Sequence, residues 1–209
     1  MARKVLLNIL IFLVMIVVFP VTAKADVVAT ANEDVKGLIV KHSMEMGMDP
    51  ALALSIAKKE SNFKHNSKSK YGAIGVFQLM PNTAKKMGYN PYHLNDNIKG
   101  GITYYKMMYK MFGKTELALA AYNAGPGNVR KYNGIPPFAE TKRFVAVIMS
   151  NYKDLKANPD PAIIAYEQTL KEINEIKEEK EIIDFEEQSL AFRQANDAIL
   201  KSYLANQGI

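Results

Sequence analysis

The sequence predicts a mainly α protein: a helical globular body followed by a long amphipathic helical extension. Three observations lead there. Segments with apolar residues three and four apart recur between Val35 and Leu155, and clusters of Gly, Pro and Asn separate them. No segment alternates convincingly in the manner of a strand; only GAIGVFQLM (Gly72 to Met80) has room for a short strand or hairpin. Beyond Asn158-Pro159-Asp160-Pro161 the chain runs from Ala162 to Ala205 without Gly or Pro.

The elements follow in order. Residues 1–25 read as a secretory signal peptide: Arg3 and Lys4, then the apolar run Val5 to Phe19, a break at Pro20, and the small-x-small site Ala23-Lys24-Ala25. The alternative is an uncleaved anchor, but the run is short beside the ~20 residues a membrane span needs. Either way the rest of the chain is expected outside the cytoplasm. Residues 26–34 are small and polar, a linker. A helix is expected from about Val35 to Met46. Asp49-Pro50 supplies an N-cap and a proline at the first helical position, so ALALSIAKKE continues as a helix to about Glu60. Its Leu52, Ile56 and Ala57 share a face, and Lys58 and Lys59 suit the last turn. After the polar SNFKHNSKSK and the glycine-bearing YGAIGVFQLMP come helices over Asn82 to Met87, Asp96 to Phe112 and Leu117 to Ala121. YNAGPGNVRKYNGIPPF is expected to be one long loop, and Ala139 to Leu155 the last helix of the body. In the extension, one helix or two, Ile163, Tyr166, Leu170, Ile173 and Ile176 keep helical spacing, then the heptad slips. It either packs on the body or serves as a partner helix.

Composition excludes several chemistries. There is no cysteine, hence no disulfide, thiolate metal site or cysteine nucleophile. His42, His65 and His93 are scattered without metal-ligand spacing; surface or capping roles are expected, and no metal or cofactor. The charge is uneven. Residues 26–162 hold 19 Lys and Arg against 11 Asp and Glu, whereas residues 163–209 hold 5 against 10. A basic body suits a polyanionic surface such as a cell wall or membrane, and the absence of any nucleic-acid motif argues against nucleic acid.

Chemistry gathers around KKESNFKHN. A lone glutamate at a helix end is ordinarily a solvated charge. Three other segments raise the weight of Glu60. Tyr71 to Pro81 is glycine-rich yet apolar, a good cleft wall with close backbone approach. Tyr122 and Asn123 sit at a helix-to-loop junction, and Glu140 and Thr141 open a helix after Pro136-Pro137-Phe138. Polar groups set among tight turns are how sites are held on a scaffold.

Glu60-Ser61, GAIGVFQLMP, AAYNAGPGNV and GIPPFAETKRFV, in that order, resemble the motifs of the soluble lytic transglycosylases, glycoside hydrolase family 23, whose fold is similar to goose-type lysozyme. The resemblance covers roughly residues 35–152 and implies a lysozyme-like catalytic domain, whose bounds are set at 35–158 by the break at Asn158-Pro159; the composition beyond it reads as an acidic helical tail, 159–209. It implies cleavage of the β-1,4 bond between N-acetylmuramic acid and N-acetylglucosamine in peptidoglycan glycan strands, leaving a 1,6-anhydro end. It also implies Glu60 as the single acid/base, with Ser61, Gln78, Tyr122, Asn123 and Glu140 binding substrate beside Thr141. Phe144 stands where the family often has Tyr, and Phe77 where it often has Met. Phe63, Phe77, Met80 and Tyr122 are expected to desolvate Glu60 and raise its pKa. A hydrolytic muramidase is the rival within enzymes; it needs a second carboxylate, for which Asp96 and Glu140 are the candidates. A wall-binding or assembly role without catalysis has little support for the body, since Glu60 is present. The tail is the place for an envelope protein partner, and membrane contact is expected only through the leader.

Overall fold

The computed structural model describes residues 35–206; the expected leader and linker, 1–34, lie outside the described residues. Eight helices follow in order: α1 (Val35–Glu45), α2 (Pro50–Ser61), α3 (Pro81–Lys86), α4 (Leu94–Phe112), α5 (Thr115–Ala124), α6 (Pro126–Lys131), α7 (Ala139–Ala157) and α8 (Pro161–Asn206). Among the described residues there are two isolated antiparallel bridges, Lys68 with Ile74 and Ile74 with Leu79. The GAIGVFQLM segment is therefore a tight double turn, with too few residues in either arm for a strand.

Helix α2 is the axis of the body. Asp49 caps it, its side chain accepting from the Ala51 N–H at 2.9 Å, and Pro50 occupies the first turn. The sequence suggests a single buried face, but Ala51 through Ala57 are all buried. Small residues on every side (Ala51, Ala53, Ser55, Ala57) let α1 and α7 close against it. Helix α4 packs on α5, and α5 on α7, so Ile98, Ile102, Leu119 and Ile148 join one core with Leu54 and Ile56.

Asp49 does more than cap. Its Oδ2 accepts from the Tyr152 hydroxyl at 2.9 Å and from Lys156 Nζ at 3.1 Å, tying α2 to the end of α7. Partial burial works to raise its pKa, but these bonds and the one from Ala51 outweigh burial and hold it below the ordinary carboxylate value. Its stabilisation is therefore present above the unfolded pKa and fades as pH falls through the lower folded value. Asp49→Ala is expected to destabilise the fold by about 1–2 kcal/mol, as for lost N-caps elsewhere, read as a shift in urea midpoint at neutral pH.

Two loop readings change. Pro126 starts a helix of its own inside the expected long loop: Gly125 takes φ 84°, Pro126 stands at the first position, and Asn128 Nδ2 donates to Ala124 O at 2.8 Å. His42 is buried, not at the surface. Its Nε2 lies 2.6 Å from Asn95 Oδ1 and its Nδ1 3.2 Å from Glu45, so it bridges α1 to the first turn of α4.

Helix α8 is one continuous element of 46 residues. Asp160 starts it, accepting from the Ala162 N–H at 3.0 Å and from Lys36 Nζ at 2.8 Å. Ile163 is buried against the body, with Ala162 and Tyr166 packed beside it. Only these first turns dock; from Lys171 onward almost every described side chain is exposed. No helix of the described residues is long and apolar enough to cross a membrane.

Candidate active site

The last turn of α2 delivers Glu60 into a cavity of about 440 Å³, walled by the 69–83 segment, by Tyr104 of α4, by Tyr122 to Gly125 at the end of α5 and by Glu140 at the start of α7. The chain leaves α2 sharply: Asn62 and Phe63 both have positive φ (50° and 66°), and Asn62 N–H closes the helix on Lys58 O at 3.0 Å. Together with Gln78 (φ 44°), three of the four described non-glycine residues with positive φ flank this acid. Strain of this kind persists where the surroundings over-determine it, and it clusters at functional sites.

Desolvation is the main influence on Glu60. Burial of its carboxyl raises the pKa; the Lys59 cation opposes this and the Glu140 carboxylate adds to it, leaving the group pushed up to about 8. The Lys59 ammonium lies over an aromatic ring, its Nζ 5.6 Å from the centre of Phe144. At neutral pH the carboxyl is mostly protonated, as a general acid requires.

Tyr122 forms the apolar wall beside it. Its hydroxyl donates to Phe77 O at 2.8 Å, and its ring lies 5.0 Å from Tyr104 and stacks at 6.5 Å and 12° on Phe144. Burial, then the Glu60 and Tyr104 charges, hold its pKa far above the usual phenol value, so it stays neutral. Of the four residues expected to desolvate Glu60, Met80 and Tyr122 line the cavity. Phe77 lies beneath it in the core, and Phe63 is not among the lining residues; its ring sits 5.2 Å from Lys36 Nζ. Tyr104, which sequence reasoning missed, joins them.

The other expected residues separate by role. Gln78, Asn123 and Glu140 line the cavity. The Gln78 amide nitrogen is engaged by the loop, donating to Gly75 O at 2.9 Å and Ser67 O at 3.2 Å. Asn123 Oδ1 accepts from the buried Thr141 hydroxyl at 2.8 Å, joining α5 to α7. Ser61 does not reach the cavity; its hydroxyl donates to Val76 O at 2.9 Å and so pins the glycine-rich turn to the end of α2. Asp96 is also elsewhere, accepting from the Asn90 N–H at 3.0 Å, which leaves Glu140 as the second carboxylate at the site.

Asn97 organises the wall from behind. It is fully buried; its Oδ1 accepts from Phe77 N–H at 2.9 Å, and its Nδ2 donates to Ile74 O at 2.8 Å and Pro91 O at 3.0 Å. Gly75 (φ 79°) lies against it, where an added Cβ would come within 2.4 Å of Nδ2. The same close approach recurs at Gly101 of α4, where a Cβ would meet the Phe77 side chain at 2.3 Å.

The body is helical and its central helix delivers a desolvated glutamate into a cleft, and the fold is of the lysozyme-like class. Residues 37–145 match the Transglycosylase SLT domain, and the chain belongs to that family. It is 37% identical over 123 residues to the soluble lytic murein transglycosylase of Escherichia coli K12, covering 47% of this chain and 19% of that one. It is 32% identical over 122 residues to a transglycosylase of Enterobacteria phage PRD1, covering 58% and 44%. Among solved structures, the 70 kDa soluble lytic transglycosylase in complex with bulgecin A superposes with a TM-score of 0.53 at 29% identity, over 60% of this chain and 25% of that one. The chain thus spans less than half the length of these relatives.

Proposed function

We propose that this protein is a peptidoglycan lytic transglycosylase that cleaves the β-1,4 bond between N-acetylmuramic acid and N-acetylglucosamine, with Glu60 as its single acid/base. The observation that carries the reading is a carboxyl delivered by the end of α2 into the cleft, where burial raises its pKa. Glu60 gives its proton to the glycosidic oxygen as the bond to C1 breaks. The resulting carboxylate takes the proton of the muramic C6 hydroxyl, whose oxygen closes on C1 to form the 1,6-anhydro ring. The substrate's own hydroxyl replaces the second carboxylate that most glycosidases need. Gln78, Asn123 and Glu140 border the space the sugars occupy, while Tyr104 and Tyr122 exclude water. Action outside the cytoplasm, after export by the leader read at residues 1–25, belongs to the same proposal. So does contact of the extension, 163–209, with an envelope protein.

The test is digestion of purified peptidoglycan, with the soluble products read by mass spectrometry. Products lighter by one water than reducing muropeptides are expected from the wild type and none from Glu60→Gln. Full-mass reducing ends would instead make the enzyme a hydrolase, with Glu140, which already faces Glu60 electrostatically, as the base that activates water.

A further inference from the structure

Among the apolar features left without a partner by everything above, two are of opposite charge character. One is a groove of about 650 Å³ on the body, apart from the acid's cleft and sharing none of its lining residues. Met46, Met48, Leu52, Met107 and Tyr109 give it an apolar lining. Lys106 and Lys110, one helical turn apart on the outer face of α4, edge it with positive charge. Its one acid, Asp49, is already bonded by Tyr152 and Lys156. Met107 and Tyr109 are exposed large apolar residues (46% each), and Lys106 reaches over to Met46 O at the rim.

The other feature is on α8. Ile182 and Phe185 stand exposed, at 59% and 73%, and Glu178, Glu181 and Glu186 surround them on one stretch of helix surface. With 1.5 Å of rise per residue, this patch lies about 24 Å along the helix from Tyr166, the last residue packed on the body. The helix therefore carries the patch well clear of its own body.

The two features complement each other in both respects: an apolar knob ringed by three carboxylates, and a methionine-rich apolar groove edged by two ammonium groups. The alternatives fit less well. A parallel in-register pair of α8 helices sets Glu181 against Glu186 of its neighbour across the seam, with Ser189 and Asn196 at core positions. An anionic membrane repels the acidic face. We infer that the chain associates with a second copy of itself, the Ile182–Phe185 face of α8 from one copy seating in the Met46–Met107 groove of the other. The contact is heterologous, knob to groove. It closes when two copies exchange helices and otherwise continues along a row of copies. Methionine suits such a groove because its unbranched side chain adapts to the surface it meets.

Sedimentation velocity of the purified exported protein over a concentration series tests this. The wild type is expected to self-associate, and the association to weaken at least ~10-fold between low and high salt, because the contact pairs opposite charges. Phe185→Asp with Ile182→Asp is expected to leave a monomer, and so is Lys106→Glu with Lys110→Glu. All four positions are exposed in the free chain, and unchanged activity on peptidoglycan verifies folding of each variant. The decisive arm mixes a copy bearing Glu178→Lys, Glu181→Lys and Glu186→Lys with the Lys106→Glu, Lys110→Glu copy. Each is expected to be monomeric alone and the mixture to associate. A wild type that stays monomeric throughout overturns the inference. So does association that survives the groove substitutions, which would place the contact between α8 helices, and so does a mixture that stays monomeric.

Discussion

Glu60→Gln is expected to abolish product formation while raising the melting temperature in alkaline buffer. The loss follows from removing the desolvated acid of the cleft, a contribution of ~10²–10⁴-fold or more when the same group also returns as base. The gain follows from linkage. Near pH 4 both the folded and the unfolded chain hold the Glu60 proton, and burial of a neutral carboxyl costs little. Between the ordinary value of 4.5 and about 8 the folded protein keeps a proton that the unfolded chain has released. Wild-type stability therefore falls as pH rises through that window, by up to about 1.4 kcal/mol per unit before discounting for the solvent that reaches this half-buried residue. Glutamine has no such slope. The variant should match the wild type near pH 4 and exceed it by a few kcal/mol near pH 9, a difference of several degrees in melting temperature. The wild-type pH–rate profile should lose its upper limb near 8. Equal melting differences at both pH values, with a limb near 4.5, would mean that Glu60 ionises as an ordinary surface carboxylate.

The same residues show which parts of this molecule the sequence announces. Asp49-Pro50 and Gly113 state their helix ends outright, because capping is local chemistry: a side chain bonds its own backbone two residues on, or glycine adopts φ 69° without a Cβ to clash. Glu60, Gln78, Tyr122, Asn123 and Glu140 were legible because they lie in contiguous motifs. Ser61 was legible as a motif residue but not as a brace, since its partner, Val76 O, is fifteen residues away. Tyr104 was invisible for a related reason. It sits in a helix whose apolar spacing is explained by packing alone, and only the fold turns that residue toward the acid. His42 was misread because one histidine gives no sign of the asparagine it will meet 53 residues later. The short helix at Pro126 was hidden by its own composition, since Gly, Pro and Asn mark both loops and helix starts. Local chemistry can be read along the chain; contacts made by tertiary approach cannot.

Asn97→Ala should be the most damaging substitution that touches no substrate. A small polar residue on the inner face of α4 looks expendable in sequence, but its side chain serves three backbone groups at once: the Phe77 N–H and the Ile74 and Pro91 carbonyls. All of this lies in the core, out of reach of water. Alanine leaves the Phe77 N–H and the Pro91 carbonyl bare, takes one of two donors from Ile74 O, which keeps the Leu79 N–H, and opens a void beside Gly75, which has no side chain to fill it. At about 1–3 kcal/mol for each buried group left unpaired, less some relief from relaxation, the expected loss is ~3–5 kcal/mol, a large part of the stability of a domain this size. The site suffers separately. Phe77 O is the acceptor for the Tyr122 hydroxyl and Val76 O the acceptor for Ser61, so both bonds that tie α5 and α2 to this segment depend on the turn that Asn97 fixes. Turnover of the folded fraction should therefore fall ~10²-fold through misplacement of the wall, as ångström-scale shifts in positioned groups do elsewhere. Denaturant unfolding with a parallel assay on peptidoglycan separates the two effects. Asn97→Asp is the sharper comparison, since it keeps the acceptor for Phe77 N–H and loses both bonds to Ile74 O and Pro91 O. If it proves as stable and active as the wild type, the turn is held by Phe77 and Leu79 packing against the glycines of α4, and the polar anchor is dispensable.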